Sequence, residues 1–393
     1  MYPEEVCVVI PTSESEEEIF NSNVGHKKLI YLQYKFLKNN NYKIHILPIL
    51  KLEGYYPKIL KYLKESGKRY EKINVNKATN LINDFHYLLL ISLRILLYVS
   101  QLLDHQFISS LNLKIKDYSK NYSHTVILNN LGEINSGILL KKWKKILICH
   151  DVQSKVYSSF IVSKLIKSPV LLLSKFLEIM QVKNNNIIIT LNQSDKNFFQ
   201  KYHDTVVIWA PFIFQNFDEV KLTEEKKFII GFLGSNWKFN ILASKRIIEI
   251  AIKLTEYPQF EFWILGSVGY SIQKEKVPKN VVITGWVDDI DKFLKNCDIF
   301  LNPKEGVTSG LEIKALDYLN YNKPIITTSY GAIGLPLSNN SSIIDNDFSK
   351  WPDYILYLFK NPKIFEKMKN NLIEEKIDFQ RKMLTTINKI LCE

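Results

Sequence analysis

The feature that most constrains the fold is a rhythm. Short apolar runs, each bounded by turn residues, alternate with longer stretches of helical spacing. In the first half the runs are VCVVIP, KIHILPI, TVILNN, KKILICH, NIIITL and TVVIWAP. In the second half they are KFIIGFLG, FEFWILG, NVVITGW, DIFLNP and KPIITTS. Continuous apolar runs belong to strands covered on both faces, and strands joined through helices run parallel. The expectation is an α/β protein with parallel sheets covered by helices on both sides.

A chain of 393 residues exceeds one ordinary core, so two such sheets in two domains are expected. The polar segment PFIFQNFDEVKLTEEKKF breaks the rhythm. It sets a first domain at 1–212, a linker at 213–227 and a second domain at 228–362. A final helix over 363–393 is expected to pack back towards the first domain. From about residue 340 the pattern reads as helical, with Leu372, Ile377, Met383, Ile387 and Leu391 among its apolar positions.

Apolar residues make up 46% and charged residues 23%, the balance of a globular chain. The net charge of +12 favours anionic partners, and the sequence shows no nucleic-acid module. Nucleic acid is therefore not expected; sugar diphosphates and anionic lipid are the better candidates. Cys7, Cys149, Cys297 and Cys392 are scattered without CxxC spacing, so neither a zinc site nor a disulfide framework is expected. A reducing cytosol fits, and MYPEEVCVVIPTS lacks the pattern of a signal peptide.

The longest apolar stretch, residues 87–103, carries Arg94 near its centre. A charge there costs about 2.5–3.5 kcal/mol in hydrocarbon, so a buried or interfacial helix is expected rather than a span. Residues 155–183 are basic and amphipathic, with Lys155, Lys164, Lys167, Lys175 and Lys183 against one acid, Glu178. Two readings stay open for them: helices covering the core, or a segment lying on an anionic membrane surface. The second would make the protein peripheral on the cytoplasmic face of the inner membrane. The acidic run Glu14 to Glu18 reads as a solvated loop.

Ligands of open parallel sheets bind beyond the carboxyl ends of the strands. In the second half these ends run into SNWKFN, SVGY, WVDD, KEGVTSG and YGAIG, with glycine at or beside each. The most informative stretch is NPKEGVTSGLEIKALDYLNYNKPIITTS. A loop with Gly306, Thr308, Ser309 and Gly310 opens a helix expected to begin near Leu311 and to bury Leu311, Ala315 and Tyr318. Free N–H groups at such a start suit a diphosphate. Lys314 and Asp317, three apart, share a face, placing a cation and a ribose-accepting carboxylate together. Taken alone the pair is an ordinary surface ion pair; behind a glycine-rich strand end it reads as a nucleotide-sugar site.

From Ser309 to Leu335 the chain reads SGLEIKALDYLNYNKPIITTSYGAIGL. It resembles the donor motif of the retaining GT-B glycosyltransferases of exopolysaccharide and capsule assembly, roughly GSGTRLKILEAMAAGKPVVST..GAEGL. GFLGSNWKFN and VVITGWVDDIDKFLKNCDIFLNP resemble the same family's opening turn and middle strands. The resemblance covers about residues 228–336 and the first half only in outline. It implies two Rossmann-like domains facing across a cleft, and glycosyl transfer from a nucleoside diphosphate sugar to a hydroxyl of a lipid-linked or surface glycan. Neither a metal nor another cofactor is implied. The donor-binding residues it implies are Gly234, Ser235, Gly266, Ser309, Gly310, Leu311, Asp317, Gly331 and Ala332. Lys238 and Lys314 would act on the phosphates.

On the acceptor side the resemblance implies Gly25 and His26 in a glycine-rich loop. His150 and Asp151, at the end of KKILICHD, complete that side, with His150 touching the transferred sugar. The chain departs from the family at one carboxylate. Eight residues before Asp317, where the family often has glutamate, stands Ser309, with Glu305 nearby. A nucleotide-sugar epimerase of the same architecture, or an inactive GT-B partner protein, are the alternatives.

Overall fold

In the computed structural model the described residues are 3–21, 25–70, 80–130, 134–161, 164–212, 214, 227–272, 277–287, 289–306 and 309–392. The chain forms two compact units. The first comprises Met1–Phe212, Val307–Leu311 and Met383–Glu393; the second comprises Ile213–Gly306 and Glu312–Lys382. The expected linker lies mostly outside the described residues.

The first unit begins with β1 (Val6–Thr12), α1 (Glu16–Phe20), α2 (Gly25–Asn39) and β2 (Lys43–Pro48). Three consecutive helices follow: α3 (Tyr55–Tyr70), α4 (Asn80–Leu103) and α5 (His105–Tyr118). Then come β3 (His124–Asn130), β4 (Lys144–Cys149), α6 (Gln153–Phe160), α7 (Lys164–Lys183), β5 (Ile187–Thr190), α8 (Gln193–Phe199) and β6 (Val206–Ile208). The strands form one parallel sheet in the order β2-β1-β3-β4-β5-β6. All seven residues of β1 are buried, as a strand covered on both faces requires.

The second unit runs β7 (Phe228–Leu233), α9 (Lys238–Lys253), β8 (Phe260–Leu265), α10 (Gly269–Ile272), β9 (Val281–Gly285) and α11 (Ile290–Asn296). It continues through β10 (Ile299–Asn302), α12 (Ile313–Leu319), β11 (Ile325–Thr327), β12 (Ile343–Ile344), α13 (Trp351–Lys360) and α14 (Pro362–Cys392). Its parallel sheet has the order β12-β11-β10-β7-β8-β9. That is the doubly wound order, in which the chain reverses direction across the sheet between β7 and β10. Phe232, Phe262 and Ile299 from the sheet pack with Trp351 and Ile355 of α13 and with Met368 of α14. Residues of α14 up to Lys382 belong to this unit, and those from Met383 to the first.

Every expected strand forms. Three local expectations do not hold. Residues after 340 are not all helical, because Ile343 and Ile344 add a short edge strand beside β11; two residues are too few to show a period. On α14, Ile377 is exposed and Lys376 is buried in its stead. Lys376 donates to the Leu319 carbonyl (2.7 Å) and to Asn322 Oδ1 (2.5 Å), closing the carboxyl end of α12, where cations are favoured. Burial lowers its ammonium to about 8. Lastly, the acidic run is no loop: Glu16–Glu18 make the first turn of α1. Ser15 and Glu18 cap each other's backbone, and Glu14 is buried against Lys27 at 3.1 Å.

Candidate functional site

In the second unit the strand ends are stitched together through glycine. Gly234 N–H donates to the Leu265 carbonyl (2.9 Å), and Gly266 N–H to the Gly285 carbonyl (2.9 Å). Gly266 has φ +93°, and a Cβ there would lie 2.5 Å from the Gly234 oxygen, so only glycine fits this approach. Beyond β7 the chain turns through Ser235 into α9. Asn240 on its first turn donates to the Ser235 carbonyl (3.1 Å) and Oγ (3.2 Å).

Lys314 Nζ donates to Asn240 Oδ1 at 2.6 Å and lies over the Phe232 ring, 4.7 Å from its centre. The Glu312 carboxylate holds Lys304 at 2.7 Å and Lys314 at 3.4 Å. Lys304 follows β10 and Ser235 follows β7, so the chain Lys304–Glu312–Lys314–Asn240–Ser235 spans the reversal point of the sheet. Burial alone would raise the Glu312 carboxyl; Lys314 and Lys304 outweigh it and hold it at about 2. Burial pulls the Lys314 ammonium down, against the pull of Glu312. Two lysines sharing one carboxylate leave a net positive charge at the strand ends, which suits an anionic ligand.

Helix α12 starts at Ile313 with Glu312 as its N-cap, two residues later than Leu311. Leu311 is therefore not on its buried stripe, while Ala315 and Tyr318 are buried as expected. Tyr318 stacks on Phe300 and its hydroxyl accepts from Leu233 N–H at 2.7 Å, tying α12 to β7. Asp317 is half-buried on the same helix and Lys238 is exposed at the start of α9. Gly331 is buried, its carbonyl accepting from Asn302 Nδ2 at 3.2 Å, and Ala332 is half-buried beside it. Glu305 pairs with Arg246 of α9 at 2.9 Å.

Ser309 and Gly310 belong to the first unit, where they meet Asp195 of α8. Asp195 is fully buried. Its Oδ2 accepts from Gly310 N–H (2.8 Å), Ser309 Oγ (3.1 Å) and Asn192 Nδ2 (2.7 Å). Its Oδ1 pairs with Lys155 at 3.1 Å. Val152 N–H donates to Ser309 Oγ at 2.5 Å, and Asn192 Nδ2 also donates to the Gly310 carbonyl at 2.8 Å. The Gly310 amide is thus held by a carboxylate. Gly310 has φ +72°, and a Cβ there would lie 3.0 Å from the His150 carbonyl oxygen. Gly310→Ala is expected to cost about 1–2 kcal/mol through the left-handed backbone alone, measured as a drop in thermal midpoint.

His150 follows β4, half-buried, with its Nε2 3.4 Å from Gln33 Nε2 of α2. Asp151 accepts from Gln153. Gly25 opens α2; Thr308 and the His26 side chain lie outside the described residues. Below His150 the start of α6 has no side-chain cap on Val152. Glu178 of α7 supplies one instead, accepting from Ser154 N–H (3.4 Å) and Oγ (2.8 Å). Burial raises its carboxyl to about 7. A carboxyl raised on folding stabilises fully below about pH 4.5 and loses that contribution as pH climbs through about 7. Glu178→Gln is therefore expected to raise stability at pH 8 by roughly 3 kcal/mol at most, read as a higher thermal midpoint, and to change it little at pH 4.5.

Residues 227–361 match the family described as Glycosyl transferases group 1. That segment contains the whole Lys304–Glu312–Lys314–Asn240–Ser235 chain. No curated protein matches the sequence. Among solved structures the chain is similar to TarM, at 12% identity and TM-score 0.63, covering 98% of this chain and 99% of that one. It is similar to sucrose-phosphate synthase from Thermosynechococcus elongatus at 10% identity and TM-score 0.60, covering 99% of each. It is also similar to Anabaena HepE in complex with UDP, at 8% identity and TM-score 0.55, covering 98% of this chain and all of that one. These likenesses show the fold, which is GT-B.

The structure brings Ser235 and Lys314 into one hydrogen-bonded group through Asn240, while Gly234, next to Ser235 in the chain, bonds instead to Leu265 and Val268. It sets Ser309 and Gly310 in a different one, beside His150 and Asp151. Four participants went unnoticed in the sequence: Lys304, Glu312, Asn192 and Asp195. Glu312 and Lys314 are two apart, a spacing that separates side chains on a helix. Glu312 is the N-cap, off the helix, and so reaches both lysines. The available signal was Lys304 itself, the first residue after the β10 strand end and its Pro303.

Proposed function

We propose that the protein transfers a glycosyl group from a nucleoside diphosphate sugar to a hydroxyl acceptor. The observation that carries this reading is the lysine pair bridged by Glu312 at the reversal point of a doubly wound sheet, inside the segment that matches group 1 glycosyltransferases. Lys314, Lys304 and the exposed Lys238 supply positive charge to the leaving diphosphate, a role that needs no metal. Asp317 accepts the ribose hydroxyls. In the step, the acceptor oxygen bonds to the anomeric carbon, the bond to the diphosphate breaks, and the acceptor proton leaves to the diphosphate or solvent. We take the transfer to be retaining, of a hexosyl or N-acetylhexosaminyl group, with a lipid-linked or surface-glycan acceptor met by the first unit through His150. The UDP in the HepE complex supports a nucleotide donor.

Thermal shifts with a panel of UDP- and GDP-sugars test the donor half. A ligand at a hundred times its Kd stabilises by about 2.7 kcal/mol, well above detection. Nucleotide release in the presence of acceptor then separates a transferase from an epimerase, which interconverts donors, and from a binder, which does neither. His150→Ala is expected to depress release by about ten- to a hundredfold while the donor-induced shift is unchanged. Normal release with a lowered melting point would make His150 a structural residue only.

A further inference from the structure

Helix α4 is apolar on two sides. One side packs inward: Ile91 is buried with Tyr157, Ile166 and Val170, and Leu88 and Ile95 pack beside them. The other turns Leu89, Leu96, Val99 and Leu103 to solvent, with Leu96 63% and Leu103 73% exposed. Leu89, Leu96 and Leu103 are seven apart, so they drift only about 20° per step and form one stripe. Its length is about 21 Å at 1.5 Å per residue.

Helix α7, which packs against α4, adds a second stripe. Leu172 is 71% exposed, and Phe176, one turn on, is exposed as well. Exposed Lys175 and Lys183 flank them, while the one carboxylate of α7, Glu178, is buried at the start of α6. From Leu88 to Leu103 the only charge on α4 is Arg94, held by Gln153 Oε1 (3.0 Å) and the Tyr157 hydroxyl (3.4 Å).

Water alone leaves this much aliphatic surface unfavourably placed. Among the described residues no single helix is long and apolar enough to cross a membrane, and α4 and α5 meet at a 76° bend. With one side packed inside its own unit, α4 offers lipid only its outer stripe. Charge decides between lipid and a second copy. The α7 stripe is flanked by exposed lysines while the one acid of that helix is buried, on a chain of net charge +12, so a copy would bring like charge to like.

We propose that the leucine stripe of α4, with Leu172 and Phe176 of α7, docks this unit onto an anionic lipid surface. The inference does not rest on glycosyl transfer and stands or falls separately from it. It also moves the contact expected over 155–183. Lys155 is engaged by buried Asp195, Lys167 is half-buried, and the Lys164 side chain lies outside the described residues; Lys175, its Nζ 5.6 Å from the centre of the Tyr202 ring, and Lys183 are the exposed cations beside the stripe.

The test is flotation of the full chain with vesicles of phosphatidylcholine alone or mixed with phosphatidylglycerol. Binding to the mixed vesicles is expected, weakening with added salt, with little binding to phosphatidylcholine alone. Leu96→Ser with Leu103→Ser should abolish it, and these exposed positions should leave the thermal midpoint unchanged. Lys175→Glu with Lys183→Glu should weaken it by at least about tenfold, since each basic residue near such a surface contributes about fivefold. Absence of binding, or binding that survives the leucine changes in a protein of normal melting point, overturns the proposal. So does concentration-dependent dimerisation that those changes abolish, which would assign the stripe to a second copy.

Discussion

Asp195→Ala is expected to cost the protein about 3–5 kcal/mol, the penalty for breaking a buried ion pair by removing one partner. The carboxylate is fully buried and serves four groups: Lys155, Asn192, Ser309 and the Gly310 amide. Without it the Gly310 N–H has no acceptor and the Lys155 ammonium loses its counter-charge. At about 2–4 °C per kcal/mol for a domain of this size, the midpoint should fall by about 6–20 °C. Urea unfolding gives the same quantity from the shift in transition midpoint. A loss under about 1 kcal/mol would mean that solvent replaces the carboxylate easily, and that Gly310 is held by its own backbone.

The second large effect is on turnover. Lys314→Ala is expected to lower nucleotide release about a hundred- to a thousandfold, the usual scale for removing one donor aimed at developing negative charge. Folding should suffer less, because Glu312 keeps Lys304 at 2.7 Å. Asp317→Ala belongs to the same test but should act on donor affinity rather than on the rate at saturation. If both variants release nucleotide at the normal rate and affinity, the α12 region is not the donor site.

The sheets were legible because their strands are apolar throughout. VCVVI and IFLN are buried at every position, which no amphipathic element imitates. The second-unit strand ends were legible for a related reason: glycine stands where backbones touch, as at Gly234 and Gly266. What escaped is what forms only when distant segments meet. Asn192 and Asp195 have only the local spacing of a helix N-cap and its first turn, and nothing local shows that a loop over a hundred residues later will bury them. Glu312 went unnoticed because a helix start near Leu311 puts it on the helix, two residues from Lys314 and off that side chain's face. Ile377 fits the apolar period of α14, yet it is exposed, and the lysine before it takes the inward position to close α12. The stretch 87–103 reads as a buried or interfacial helix, and its leucines in fact face both ways, one side packed inward and the other exposed.

The membership of the first unit has a consequence for how the protein comes into being. This unit takes residues up to Phe212, then Val307–Leu311, then Met383–Glu393. On a ribosome, Asp195 and Lys155 emerge long before Ser309 and Gly310. Tyr42, whose hydroxyl donates to Asn388 at 2.8 Å, waits until the last turns of α14 are made. At about 5–20 residues per second the interval from Phe212 to Met383 lasts on the order of ten to thirty seconds. Through that interval the nascent first unit carries an unfilled seat for a loop and another for a helix end. The order of synthesis therefore runs against vectorial, one-domain-at-a-time maturation. A gene cut at residue 212 would deliver a half missing two of its own pieces.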